Sequence, residues 1–458
     1  MTDKTEEAKK PNIILINCDD LGYGDLGCYD SPVNKTPAID RLAEEGVRFT
    51  DFYMASPVCS PSRGAMMTGC YPTRIGFGAF DGRWVLFPGQ AIGLNPSEIT
   101  IANLLLNAGY ATKIVGKWHC GDQKEFLPTR HGFESYYGLP YSNDMGVRKK
   151  DDKNPPLPLI RDEEVIQQQP DQTCLTERYV EESVRFIREN KERSFFLYLA
   201  HMYVHLPIYA PDRFLKSSQN GKYGTAVECV DWATAVIMHE LKTLGLDDNT
   251  LVIFTSDNGS RCRGQGGSNG ILRGTKATTW EGGQRVPCIV RWPNKIPKGI
   301  VCRELATSMD FYPTLAALGN ATLPNDRVID GKNILSLMQS ENAKSPHEIF
   351  FYYMRNCLEA VRNTEWKLHV RKEDQEIKEL YNLRADPGET KNLFKANPEV
   401  VKELTTKMDE CRRDIGDEAT GIKGKNIRPA GRVANPDTLT HYDHEHPYVI
   451  AMYDLYGG

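Results

Sequence analysis

Cys59, Pro61 and Arg63 stand together in the stretch Pro57 to Gly69 (PVCSPSRGAMMTG), where a thiol precedes a guanidinium by four positions and a small-residue, Met-rich run follows. A helix beginning near Ser60 would place residue 59 at its positive N-terminal end, where a thiolate or an oxygen anion is stabilised. Arg63 would then lie one turn on, on the same side. In that setting Cys59 has the chemistry of a nucleophile, with His119 as its base. Elsewhere, Asp19-Asp20 and Asp257-Asn258 offer four hard oxygen side chains, a set that suits Ca2+ or Mg2+ rather than zinc, which prefers His and Cys. Taken singly, such pairs are ordinary turn residues. Lys117-Trp118-His119 holds a cation and an imidazole at spacing two, so both face one way from an extended segment and could grip an anion. His205, and Lys276 within RGTKATTWEGG, carry the same double meaning of anion ligand or solvated side chain.

These residues must be delivered by something, and the chain reads as α/β. Asn12 to Asn17 (NIILIN) is a continuous apolar run ending at Asp19-Asp20, as expected of a parallel strand buried on both faces. Thr36-Pro37 is a helix start whose helix runs to Gly46, and VRFTDFYM is the strand that follows. Ile99 to Gly109 is a second helix, and ATKIVG is a strand ending at Lys117-Trp118-His119. Leu175, Tyr179, Val180, Val184 and Ile187 recur at helical spacing. FFLYLA is a strand ending near His201 and His205, and LVIFTS runs into Asp257-Asn258-Gly259. Four strands therefore deliver polar residues past their C-terminal ends, where open α/β sheets place their ligand sites. The expectation is a large, mixed but mostly parallel sheet flanked by helices over residues 1–320. A smaller C-terminal α+β subdomain is expected over 321–458, with antiparallel strands at Glu365 to Val370 and Glu379 to Leu383, a helix from Pro398 to Arg413, and a loop-rich tail from Gly416.

Composition excludes several classes of function. With 56 Lys+Arg against 61 Asp+Glu, the net charge of −5 leaves no global basic field for nucleic acid. The longest apolar run, Phe195 to Val204, is too short and too interrupted to span a bilayer. The N-terminus, MTDKTEEAKK, is a charged tail without the apolar core of a secretion signal, and the twelve cysteines form no paired C-x-x-C set. Reduced, buried thiols in a cytoplasmic protein are the expectation, with a periplasmic or secreted protein that has lost its signal as the alternative.

Cys59-Ser60-Pro61-Ser62-Arg63, with Thr68-Gly69 and Tyr71-Pro72 beyond it, resembles the signature of type I sulfatases, whose cysteine is oxidised after synthesis to Cα-formylglycine. Gly116-Lys117-Trp118-His119, Asp257-Asn258-Gly259 and ELYNLRADPGETKNL at Glu379 to Leu393 resemble further motifs of that family. The similarity covers nearly the whole chain. PYSND at Pro140 to Asp144 is similar to the arylsulfatase A and N-acetylgalactosamine-6-sulfatase branch, while Met66-Met67 and Cys120 depart from it conservatively in volume.

The resemblance implies an alkaline-phosphatase-like fold and hydrolysis of aryl or carbohydrate sulfate monoesters. It implies a Ca2+ or Mg2+ held by Asp19, Asp20, Asp257, Asn258 and residue 59. The aldehyde hydrate at 59 attacks sulfur, and its second hydroxyl loses a proton to His119 to release sulfate. Arg63 holds the hydrate and the charge balance. Lys117, His205 and Lys276 bind sulfate oxygens, with His205 as acid for the leaving alcohol and Ser142 as a further contact. The implied partners are a sulfated small molecule or carbohydrate and a formylglycine-generating or anaerobic sulfatase-maturating enzyme. Two alternatives accompany this reading: a phosphonate monoester or phosphodiester hydrolase of the same superfamily, and a silent binding homologue with Cys59 unmodified. The segments 80–87, 141–144 and 260–274 are expected to border the pocket.

Overall fold

The computed structural model describes residues 10–148, 153–215, 218–262 and 264–448. Most of the charged N-terminal tail, residues 1–9, lies outside them. Ten strands build the main sheet: β1 (Asn12–Cys18), β2 (Val47–Phe49), β3 (Ala111–Gly116), β4 (Ser135–Gly138), β5 (Pro158–Arg161), β6 (Glu164–Gln168), β7 (Phe195–Ala200), β8 (Thr250–Ser256), β9 (Cys288–Arg291) and β10 (Ile300–Cys302). Their spatial order is β10-β2-β9-β8-β1-β7-β3-β4-β5-β6. The central run β8-β1-β7-β3-β4 is parallel throughout. Every residue of β1, β3, β7 and β8 is buried, which is why these strands read as unbroken apolar runs in the sequence.

Helices α1 (Pro37–Glu44), α2 (Cys59–Thr68), α3 (Ile101–Asn107), α4 (Leu175–Glu189) and α5 (Gly221–Thr243) cover this sheet. Two large apolar clusters lie on it, one built around α2 and α3 and the other around α1, α4 and α5. VRFTDFYM, expected as one strand, is broken at Thr50-Asp51 into Val47–Phe49 and Phe52–Tyr53. Thr50 and Asp51 leave the sheet because their polar groups are engaged elsewhere: the Thr50 carbonyl accepts from Arg285 Nε at 2.6 Å, and Asp51 pairs with Arg285 and Arg362.

The C-terminal part is a four-stranded antiparallel sheet, β11 (Phe350–Met354), β12 (Cys357–Arg362), β13 (Trp366–Lys372) and β14 (Gln375–Asn382), with α6 (Pro398–Asp414) packed on it. Sequence reading anticipated β13, β14 and α6 but not β11 and β12, whose polar and aromatic mixture breaks strict alternation. Beyond Gly416 the chain is loop-rich, as expected, yet it is not a free tail. Gly431–Arg432 pairs with Ile92–Gly93, and Arg428 Nε lies 2.6 Å from Glu98 Oε1. All twelve cysteines are free thiols.

Candidate active site

The four central strands converge on one edge. β1 is followed directly by Asp19-Asp20, β3 by Lys117-Trp118-His119 and β8 by Asp257-Asn258, while β7 leads through His201 to His205. The turn after β3 depends on Gly116: its φ is +115°, and a Cβ there would lie 1.8 Å from the Ala200 carbonyl oxygen of β7. Asp20 and His119 hold left-handed backbone, with φ near +60° at both. So does Ala277, with φ +65°, next to Lys276. Such residues store strain where side chains must be aimed.

Helix α2 starts one residue earlier than the sequence indicated, so Cys59 is its first residue and Val58 the extended N-cap. Pro61 is tolerated because the first turn has no intrahelical use for its missing N–H. Gly69, with φ +70°, closes the helix by donating its N–H to the Ala65 carbonyl. The helix N-terminus is tied into the site by side chains that sequence reasoning missed. Ser62 Oγ donates to the Asp257 carbonyl at 2.5 Å, and Leu86 N–H donates to Ser60 Oγ at 3.1 Å. The Lys276 segment docks on the same loop, Ala277 N–H donating to the Pro57 carbonyl at 2.9 Å.

Arg63 lies inward of residue 59. Its Nε and Nη2 both reach Asp257 Oδ2 at 2.8 Å, and its Nη1 donates to the Lys117 carbonyl at 2.8 Å. Lys117 Nζ pairs with Asp19 Oδ2 and donates to Ser142 Oγ at 2.6 Å. Lys276 Nζ pairs with Asp20 Oδ1 at 2.6 Å, and Asn258 Nδ2 donates to the same oxygen at 2.8 Å. Three carboxylates thus face three cations, all at least largely buried. Against a burial effect that would raise it, Lys117 first and then His205, Arg63 and Lys276 hold Asp19 far below the usual carboxylate range. Asp257 goes the other way, pushed up to about 6 by burial and by the neighbouring Asp19 charge.

The thiol of Cys59 is pushed up by burial despite Lys117 and Lys276. The thiolate expected at a helix N-terminus is therefore not favoured here: desolvation outweighs the helix dipole and the lysines.

The site fits a divalent cation. Asp19 Oδ1, Asp20 Oδ2 and Asn258 Oδ1 are buried oxygens without a hydrogen-bond partner among the described residues, set among residues whose ligand atoms cluster. Asp19, Cys59 and Asp257 present ligand atoms within 4.8 Å of one another, as do Asp19, Asp20 and His205. The donors are hard oxygens, the chemistry of Ca2+ or Mg2+. A divalent ion would leave the balanced set of three carboxylates and three cations with a surplus of two positive charges, matched to an oxyanion substrate. Exhaustive chelation is expected to abolish turnover and lower the thermal unfolding midpoint, with Ca2+ restoring both. An unchanged rate after chelation, with the ion's removal verified by elemental analysis, would overturn the metal site.

The two histidines differ in what their rings can do. His119 Nε2–H donates to the Leu86 carbonyl at 3.0 Å, which leaves Nδ1 carrying the lone pair, buried and without a partner among the described residues. Burial, then Lys117, hold its pKa well below the ordinary value, so the ring is a neutral base. His205 is oriented oppositely. Nδ1–H donates to the Leu206 carbonyl at 2.6 Å, so any proton it passes on must sit on Nε2, 3.8 Å from Asp20 Oδ2. Burial and Lys276 lower its pKa too; an anion bound beside Nε2 would favour the protonated ring.

Above this machinery opens a cavity of about 520 Å³, with Cys59, Ser142, His205 and Lys276 among its lining residues and Gly82 to Val85, Phe87, Asp144, Met145 and Arg261 around them. Lys117 and His119 are fully buried and lie outside that lining. Segments 80–87 and 141–144 border the pocket as anticipated; of the segment 260–274, only Arg261 does so among the described residues, because Ser268, Gly270 and Ile271 line a different cavity.

A mixed sheet that gathers carboxylates, lysines and a helix-terminal cysteine at the C-terminal ends of its parallel strands makes a site built for a small oxyanion. The Sulfatase family model matches residues 11–321, and the model described as N-sulphoglucosamine sulphohydrolase, C-terminal, matches residues 275–414. The chain is 40% identical over 376 residues to human N-acetylgalactosamine-6-sulfatase, covering 78% of this chain and 71% of the relative. To mouse steryl-sulfatase it is 34% identical over 512 residues, covering 88% and 82%. Among solved structures, that of Ps i-CgsB in complex with k-i-k-neocarrahexaose superposes with a TM-score of 0.79 at 31% identity, covering 88% of this chain and 92% of that one. The chain belongs to the sulfatase family, and its reaction is hydrolysis of sulfate esters.

Proposed function

We propose that the substrate is the sulfate monoester of a sugar or aryl alcohol and that residue 59 works as Cα-formylglycine. The carrying observation is the floor of the cavity. Cys59, Ser142, His205 and Lys276 line one space, with exposed Trp84 at its rim offering a flat face to a ring-shaped leaving group. The names of the relatives, a hexosamine sulfatase and a steryl-sulfatase, support ring-bearing alcohols of both kinds. With residue 59 oxidised and Ca2+ held by Asp19, Asp20, Asp257 and Asn258, the aldehyde hydrate supplies the hydroxyl nucleophile and the ion the positive charge beside it.

The remaining work falls to the chain's own side chains. Lys276 and Ser142 bind sulfate oxygens directly. Lys117 acts from behind, since it donates to Ser142 Oγ and leaves the serine hydroxyl hydrogen free for the substrate. His119 accepts a proton at Nδ1. His205 delivers one from Nε2 to the leaving oxygen. Arg63 keeps Asp257 and the Lys117 carbonyl in place. Oxidation of Cys59 requires a maturating enzyme, and the burial of all ten residues of α2 favours its acting before folding is complete.

A panel of aryl sulfates, 6-sulfated hexosamines and sulfated steroids tests the substrate class directly. On that panel, His205→Ala is expected to lose about 10²–10⁴-fold on sugar sulfates and far less on 4-nitrophenyl sulfate, whose leaving group departs without a proton. Equal losses on both would remove His205 from the acid role. His119→Ala is expected to release one equivalent of alcohol and stall, with a sulfate adduct visible by intact mass.

A further inference from the structure

A second cavity, of about 680 Å³, lies between the main sheet and the C-terminal sheet and is richer in arginine than the active site. Five arginines line it: Arg48, Arg285, Arg303, Arg362 and Arg384, against Asp30, Asp51 and Glu304. Two of the five are spoken for. Arg285 and Arg362 are buried and pair with Asp51 at 3.0 and 3.4 Å. Glu304 is paired as well, with Lys344 at 3.0 Å. Arg48, Arg303 and Arg384 have no carboxylate at ion-pair distance and no side-chain hydrogen bond among the described residues; Arg48 rests over the Tyr29 ring at 5.1 Å, and Arg384 acts on Glu304 from beyond ion-pair distance. In a protein of net charge −5, this cavity carries a local surplus of positive charge.

Its place in the fold is informative. β9 is antiparallel to β8 and to β2, and β10 is parallel to β2, so β2 and β10 run in the same direction as β1 and β8. Thr50 and Asp51, which follow β2, and Arg303, which follows β10, therefore stand on the same carboxyl edge as Asp19 and Asp257. Strand spacing places β2 about 14 Å from β1. The loop after β1 links the two spaces: Asp19 and Asp20 belong to the active site, and Tyr23 and Gly24 line the second cavity.

We propose that the arginine-lined cavity is a second, non-catalytic saccharide site. Arg48, Arg303 and Arg384 hold sulfate or carboxylate groups on another unit of the same polyanionic chain whose ester is cut above residue 59. Guanidinium forks match both oxyanions in a bidentate manner. The volume is that of an oligosaccharide-sized ligand rather than of a single inorganic ion. Exposed Ile271 at the rim, with Pro32 and Pro387, offers apolar surface to sugar C–H faces. This inference rests on the carbohydrate reading of the active site.

The test uses the full chain carrying Arg48→Ser, Arg303→Ser and Arg384→Ser together. Calorimetry in a Cys59→Ala background would compare a chondroitin 6-sulfate hexasaccharide, its desulfated form and inorganic sulfate. The triple change is expected to weaken hexasaccharide binding at least about tenfold, with no binding of the desulfated form. In the background with Cys59 intact, kcat/KM on 4-nitrophenyl sulfate should stay within about twofold of the parent. Equal hexasaccharide affinity with and without the three arginines would overturn the site. So would complete displacement of the hexasaccharide by millimolar inorganic sulfate, which would make the cavity a site for a free anion. Failure of the carbohydrate reading shows in a separate arm: turnover of 4-nitrophenyl sulfate with no sulfate released from any saccharide of the panel would remove that reading and this site's ligand together.

Discussion

Cys59→Ser is expected to lower kcat on every sulfate ester by at least about 10⁴-fold, while leaving the fold and the divalent-cation site in place. The two side chains are close in volume, and Cys59 is 2% exposed, so the substitution perturbs packing little. The chemistry is what changes. A serine that stays an alcohol can take up sulfate once, but it has no second hydroxyl through which to expel it, so one turnover is the limit. An unmodified cysteine fares no better, because burial holds its thiol neutral despite Lys117 and Lys276. The measurement pairs steady-state rates with peptide mass spectrometry across residue 59. Near-parental turnover by a variant whose serine is confirmed by mass would sink the aldehyde chemistry.

Arg63→Ala is expected to cost about 3–5 kcal/mol of stability and nearly all activity, the largest stability effect of any single polar residue in the site. The guanidinium is 1% exposed and makes two contacts of 2.8 Å to Asp257 and one to the Lys117 carbonyl. Its removal leaves Asp257 uncompensated in a space where that carboxyl is already pushed up to about 6 by burial and Asp19. Arg63→Lys should recover part of the stability through its charge. It should recover little activity, because one ammonium cannot span Asp257 and the Lys117 carbonyl as the planar fork does. Denaturation midpoints and kcat for the two variants decide the matter; an alanine variant as stable as the parent would show that the bound cation alone neutralises the carboxylates.

The central strands are legible in the sequence because burial on both faces leaves them no polar positions, and the polar pairs that stop them are the site. β4, β5 and β6 are not legible in the same way: β4 and β5 are largely buried but only four residues long, too short for an apolar run, and β6 extends the sheet at its edge with partly or fully exposed residues such as Glu164 and Gln167. Within the site, residue types pointed to the carboxylates, lysines and histidines but not to their pairing. Spacing put Arg63 beside residue 59, whereas opposite charge drew it to Asp257. Ser60, Ser62 and the Leu86 carbonyl carry no pattern at all, since a serine hydroxyl or a backbone oxygen becomes specific only when a distant strand brings it a partner. The arginine-lined cavity was hidden for the same reason, its charges coming from positions 48, 303 and 384.

Leu86 sits in the segment that forms the pocket rim, and its carbonyl and N–H are the partners of His119 and Ser60. Substrate preference and reaction chemistry are therefore not modular in this enzyme. Transplanting the rim of another sulfatase to alter which alcohol is accepted would also re-aim the His119 imidazole, unless the incoming loop returns a carbonyl to the same point. Diversification of this pocket is consequently easiest at Trp84 and Arg83, whose side chains face solvent, and hardest two residues further along.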